Sequence, residues 1–163
     1  MLDISKSSSM LFCGITKDEA DLMLPCLGAV RKSFGRGERI MRSGQPTEHL
    51  GIVLSGRVRV EVSDAWGETT ILEILGPGSL FAHGYACSME PLDIDVLADS
   101  ACEVVLLKAE RIIHSCPKQC GCHSHISSNL MRALALSNLD MNHRAIAMTP
   151  KTIRGKILAF LSQ

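Results

Sequence analysis

Four glycines constrain this chain more than any other feature. Gly44, Gly56, Gly67 and Gly78 fall 12, 11 and 11 residues apart, and the segments between them are too short for long helices. Those segments carry a period of two. In "RVRVEV", Val58, Val60 and Val62 alternate with Arg57, Arg59 and Glu61, as one half-buried strand requires. "LDIDV" repeats this with Leu92, Ile94 and Val96 set against Asp93 and Asp95. "GIVL" at 51–54 and "EVVLL" at 103–107 are continuous apolar runs suited to fully buried strands. "SDAWGE" and "GPGS" place Asp, Gly and Pro where tight turns need them. Short strands punctuated at this interval predict a sandwich or barrel of the jelly-roll kind.

Helical signals flank the β region. Residues 16–27, "TKDEADLMLPCL", predict a short helix, with Thr16 and Glu19 spaced as a capping box. The pattern turns helical again over 109–115, is interrupted at Pro117, and then predicts one long helix over about 118–148. Ile126, Leu130, Leu134, Ser137, Met141, Ala145 and Met148 recur every three or four residues along it, close to a coiled-coil seam. A helix of about 30 residues is about 45 Å long, more than a small β-domain covers. The stripe Ile126, Leu130, Leu134, Met141 and Met148 is therefore expected at a homodimer interface; packing on the β-domain is the other use for it. Pro150 ends the helix, and "KTIRGKILAFLSQ" starts another amphipathic one.

The fold class expected is mainly β with α: a double-stranded β-helix, or jelly roll, followed by a long dimerisation helix. The organisation expected is 1–108 for the first helix and roll, 109–148 for the short and long helices, and 149–163 for a linker.

Composition excludes several function classes. Seventeen basic and 17 acidic residues in 163 give no overall charge that advertises nucleic acid or membrane. No apolar run approaches the roughly 20 residues of a membrane span, and "MLDISKSSSMLFCG" lacks the basic and apolar regions of a signal peptide. A cytoplasmic location without membrane contact is expected, where seven cysteines are thiols or ligands rather than disulfides. No Ser/His/Asp order or phosphate loop is present, and His49 in "EHLG" lacks the neighbouring histidine of a roll-fold metal enzyme. The chain reads as a non-enzyme.

In this order, a helix, a glycine-spaced roll, a short helix, a long helix and a Pro break resemble the cyclic-nucleotide-binding domain of the cAMP receptor protein/FNR family of bacterial transcription regulators. The resemblance is carried by "G-x11-G-R-V-R-V" (Gly44 to Val60), Asp64 followed by Gly67, "ILGPGSLFA" (74–82), "VLADSACEVVLL" (96–107) and "TPKTIRGKILAFL", and it covers about residues 12–162. It implies a sensor and dimerisation module, partnered with DNA through a helix-turn-helix half that does not follow Gln163 here. It also implies that the basic segment His143–Lys156 transmits the signal as a hinge.

Relatives that bind cAMP present Phe-Gly-Glu and then an Arg-Ser pair, which together neutralise the phosphate and hold the ribose. Here the turn reads Phe81-Ala82-His83, and Leu92-Asp93 stand at the Arg-Ser positions. Between Gly78 and Lys108 there is no Lys or Arg, while Glu90, Asp93, Asp95 and Asp99 are acidic. A cyclic phosphate would meet carboxylate where it needs guanidinium, so the effector is expected not to be a cyclic nucleotide. The expected effector pocket is Phe81, His83, Tyr85, Cys87, Leu92 and Asp93, with Asn138, Met141 and Asn142 of the long helix added by the resemblance. It would hold an unknown small-molecule or redox effector, or simply shape the fold.

One constellation stands apart. "HSCPKQCGCHSH" gathers Cys116, Cys120, Cys122 and His123 near the start of the long helix. Thiolate and imidazole are good ligands for zinc or an iron–sulfur cluster, and a helix N-terminus lowers a nearby thiol's pKa. The spacing C-x3-C-x-C-H is not that of a zinc finger, so metal site, thiol redox switch and structural thiols all stay open. No particular cofactor is written in the sequence.

Overall fold

The computed structural model describes residues 9–114 and 121–148, without the side chains of 121 and 122. Two compact units divide at Leu130 and Met131. The first holds all the β-structure.

A 3-10 turn, Met10–Phe12, buries Leu11 and Phe12. Helix α1 (Lys17–Met23) follows, and its capping box is formed: Thr16 N donates to Glu19 Oε2 at 2.8 Å, and Glu19 N donates to Thr16 Oγ1 at 3.4 Å. The helix expected over 16–27 stops at Met23 because Pro25 cannot donate a helical hydrogen bond. Residues 24–28 form turns, closed by Gly28 N donating to Pro25 O.

Eight strands then build two antiparallel four-stranded sheets. One is ordered β1 (Val30–Phe34), β8 (Cys102–Lys108), β3 (His49–Ser55), β6 (Leu80–Phe81). The other is ordered β2 (Arg39–Met41), β7 (Asp95–Ala98), β4 (Val58–Ser63), β5 (Thr69–Leu75). The alternation read from the sequence sets most of the faces: Val58, Val60, Val96 and Ala98 from one sheet meet Val53 and Val104 from the other in one apolar core. It breaks at the end of β4, where Glu61 is buried and Val62, expected inward, is half-buried outside that core. Strand β7 begins at Asp95, but Leu92 still points into that core.

All four spaced glycines have positive φ, from 74° to 88°. At Gly56 the requirement is double: a Cβ there would also lie 2.1 Å from the Ala101 carbonyl oxygen.

After β8 come α3 (Ala109–Ile113) and α4 (Gly121–Met148). Inside the first unit, α4 is tied down by polar bonds. Asn129 Nδ2 donates to Leu11 O at 3.0 Å and Cys13 O at 2.8 Å, and Ser127 Oγ donates to Ile112 O. Ile126 and Leu130 are fully or almost fully buried within the single chain. Of the five residues expected at a dimer interface, these two are therefore taken up by their own chain. In the second unit Leu134 is half-buried, while Met141 and Met148 are 69% and 73% exposed. Among the described residues, no helix is long and apolar enough to cross a membrane.

Candidate functional site

The candidate pocket residues gather around a short helix that the sequence did not announce. Helix α2 (His83–Ser88) follows directly on β6. Its two flanking residues, Ala82 at φ 54° and Met89 at φ 60°, are in the left-handed region. Each such non-glycine costs about 1–3 kcal/mol, and such strain persists only where surrounding structure fixes it. Here the fixing groups are visible.

Before the helix, Phe81 pairs with Gly51 of β3 and lies so close over it that a Cβ on Gly51 would fall 1.9 Å from the ring. Phe81, Ala82 and Leu92 all belong to the core between the sheets. After the helix, the segment returning to β7 is held by backbone bonds: Leu92 N donates to Gln45 O at 3.0 Å, and Gly44 N donates to Leu92 O at 2.7 Å. Across the two, the Tyr85 hydroxyl donates to Asp93 Oδ1. Burial first, and then the Asp93 carboxylate, push the Tyr85 phenol up to about 12.

Two other side chains of α2, His83 and Cys87, stand in apolar surroundings. His83 Nδ1 is buried with no hydrogen-bond partner among the described residues, and burial holds the imidazole below its ordinary pKa, so it is a neutral ring with one such nitrogen idle. Burial raises the Cys87 thiol, which favours the protonated form over a reactive thiolate. Three arginines in or beside the second sheet are engaged with carboxylates: Arg59 with Glu61 at 2.7 Å, Arg57 with Asp99 at 3.0 Å and Arg39 with Asp95 at 3.3 Å. The site thus combines an apolar floor, a neutral imidazole and a phenol–carboxylate pair.

This roll, with a short helix between β6 and β7, decides the family. The family described as "Cyclic nucleotide-binding domain" matches residues 31–116. The chain belongs to it. A relative, the cyclic AMP receptor protein of Thermus thermophilus, is 35% identical over 75 residues, which are 46% of this chain and 34% of that protein. The domain also superimposes on the crystal structure of the Thermus thermophilus catabolite activator protein, with a TM-score of 0.69 at 26% identity, covering 85% of this chain and 63% of that one. The sensor domain of the transcriptional regulator DNR from Pseudomonas aeruginosa shares the fold, with a TM-score of 0.62 at 17% identity over 90% of this chain and 91% of that one. The chain spans about a third of the curated relative it matches (34%).

Of the expected pocket residues, the structure brings six together around α2: Phe81, His83, Tyr85, Cys87, Leu92 and Asp93. Phe81 and Leu92 are core rather than lining. Asn138, Met141 and Asn142 are exposed in the second unit, where Asn142 Nδ2 donates to Asn138 Oδ1 at 3.0 Å. Sequence reasoning did not anticipate that Tyr85 and Asp93 are partners; a phenol and a carboxylate eight residues apart carry no periodic signal.

In the cysteine-rich constellation, Cys116 and Cys120 lie outside the described residues, as does the side chain of Cys122. His123 is described: it is 7% exposed, and its buried Nδ1 has no partner among the described residues. Elsewhere, Cys102 is buried, Cys26 half-buried and Cys13 exposed, all as free thiols.

Proposed function

We propose that this domain is the effector-sensing and dimerisation part of a bacterial transcription regulator, and that its effector is not a cyclic nucleotide. It works without catalysis, in the cytoplasm, as a homodimer whose DNA contacts are made by a helix-turn-helix half. The reading rests on Asp93. Where cAMP-binding relatives set an arginine and a serine, this chain has a buried Leu92 and a carboxylate engaged by Tyr85. Two unit negative charges about 4 Å apart repel by about 4 kcal/mol at an effective dielectric of about 20, or roughly three powers of ten in affinity. A ligand that suits the site is uncharged or cationic, largely apolar, and hydrogen-bonds the His83 nitrogen. Its binding near 81–93 biases one of two arrangements of the dimer, which is how a sensor conveys occupancy to DNA-reading heads.

Calorimetry with cAMP and cGMP tests the ligand claim. No saturable heat is expected up to millimolar nucleotide; binding of either one in the micromolar range would falsify it.

A second reading is favoured by one observation, the buried Nδ1 of His123, which has no partner among the described residues. There the domain is a metal, iron–sulfur or thiol redox sensor built on Cys116, Cys120, Cys122 and His123. Anaerobic purification followed by an absorbance spectrum and metal analysis separates the two. Zinc, or iron with sulfide, near one site per chain supports this second reading, and a colourless metal-free dimer removes it.

A further inference from the structure

Charge is unevenly balanced along the later strands of the roll. Five carboxylates lie between Gly78 and Lys108, with no lysine or arginine among them. Three are answered from elsewhere in the roll: Asp95 by Arg39 at 3.3 Å, Asp99 by Arg57 at 3.0 Å, and Glu103 by Arg31. Glu90 and Asp93 have no ion pair among the described residues, and both stand on the segment returning from α2 to β7. His83, the single histidine of the stretch, is kept neutral by burial and offsets neither charge.

Asp93 is also held in place. Beside it, Leu92 N donates to Gln45 O at 3.0 Å, and Leu92 O accepts from Gly44 N at 2.7 Å and Ser43 Oγ at 3.4 Å. Pro91 bridges to Pro46. The Tyr85 hydroxyl donates to Asp93 Oδ1, while Oδ2 has no partner among the described residues. A carboxylate accepts at both oxygens. This one is oriented by the phenol through one oxygen and, being exposed, offers the other to a ligand. Apolar surface lies on the same stretch of chain. Tyr85 and Ile94 pack against the core yet stay partly open, and Met89 is 69% exposed.

We propose that the effector is an organic cation, a primary ammonium that donates to Asp93 Oδ2 and is carried on a small apolar body resting on Tyr85, Ile94 and Met89. The inference rests on the effector reading above and narrows it from uncharged or cationic to cationic. An ammonium brings three donors and a positive charge to an unanswered carboxylate, with an aromatic ring close by. An anion would meet Glu90 and Asp93 with no counter-charge, and a neutral ligand would leave Asp93 unanswered. Tyr85 is here a positioning residue. Because Asp93 is exposed, water screens the pair, and its worth is that of a surface ion pair, about fivefold in affinity. The apolar body supplies most of the binding, and the charge selects among ligands.

Three probes of one skeleton test this near neutral pH: 2-phenylethylamine, which is then an ammonium, 2-phenylethanol and 3-phenylpropionate. Tyr85 is the single tyrosine, so ring-labelled tyrosine gives one residue's signals to follow by NMR. Saturable movement is expected with the amine at up to millimolar concentration, about fivefold tighter than with the alcohol, and none with the acid. Asp93→Asn should erase the difference between amine and alcohol while leaving alcohol binding in place, which also shows that the variant folds. Tyr85→Phe, read by calorimetry, should shrink the preference for the amine without reversing it. An alcohol that binds the parent as tightly as the amine, a preference for the acid, or no response to the amine overturns the proposal. So does an amine preference that survives Asp93→Asn. Titration of cAMP into the same sample separates the two readings: with cAMP silent, those failures leave the non-nucleotide reading standing, whereas movement at micromolar cAMP overturns both.

Discussion

Tyr85 is the residue on which the candidate site turns, and it is the only tyrosine in the chain. Its hydroxyl proton is held by Asp93, and burial disfavours the phenolate, so the folded state keeps that proton up to about pH 12. The unfolded chain releases it near its ordinary value of 10.0. A folded pKa above the unfolded one means stabilisation that is complete below about pH 10 and is lost as pH climbs from there toward 12. The phenolate absorbance of the folded protein should therefore rise near pH 12 in one step. Asp93→Asn removes the acceptor charge but not the burial, so the midpoint should move part of the way back toward 10.0. A variant that titrates like the parent would show that the two side chains do not meet in solution. His83 shows the opposite residue-level economy: its ring stays neutral at pH 7 and its buried Nδ1 has no partner among the described residues, which is why a hydrogen-bonding group of the ligand is expected there.

At the scale of elements, the site is placed by the close crossing of β3 and β6. Phe81 can lie flat in the core only because residue 51 has no side chain, and Phe81 fixes where α2 begins. Gly51→Ala should destabilise the domain by about 1–3 kcal/mol through overpacking, read as a fall in the urea midpoint. Adding Phe81→Leu should recover part of that loss, because the two changes share one contact. Equal and additive losses would mean that the crossing is looser than it stands. The glycine spacing, the alternating valines and the Thr16 capping box were legible in the sequence because each rests on short-range chemistry. Helix α2 was not legible. "HGYACS" is six residues of mostly weak helix formers; it is held by left-handed caps, by burial of Ala86 and by the Tyr85–Asp93 bond. Those are tertiary facts. The α1 end was missed for a smaller reason, a proline at 25 inside an otherwise helical pattern.

At the scale of the whole molecule, the dimer reading gives one helix two purposes along its length. A stripe with a period near 3.5 looks the same in sequence whether it packs on its own roll or on another copy, so the seam from Ile126 to Met148 read as a single surface. The structure divides it. Ile126 is wholly buried in the first unit, beside Ser127 and Asn129, which bond to α3 and the N-terminal turn; Met141 is mostly exposed. The two ends should therefore fail differently. Ile126→Ala should lower the unfolding free energy by about 2–5 kcal/mol, as large-to-small changes in a closed core do, with little effect on association of the chains that remain folded. Met141→Lys should leave the roll's unfolding unchanged when measured at a concentration where both proteins are monomeric. It should weaken self-association by at least about tenfold, equivalent to about 1.4 kcal/mol, since it places a charge in an apolar seam. Sedimentation across a dilution series, run beside urea unfolding, reads both quantities. If Met141→Lys leaves the mass untouched while Ile126→Ala dissociates the dimer, the helix does not divide its labour as drawn, and the copies meet through the first unit instead.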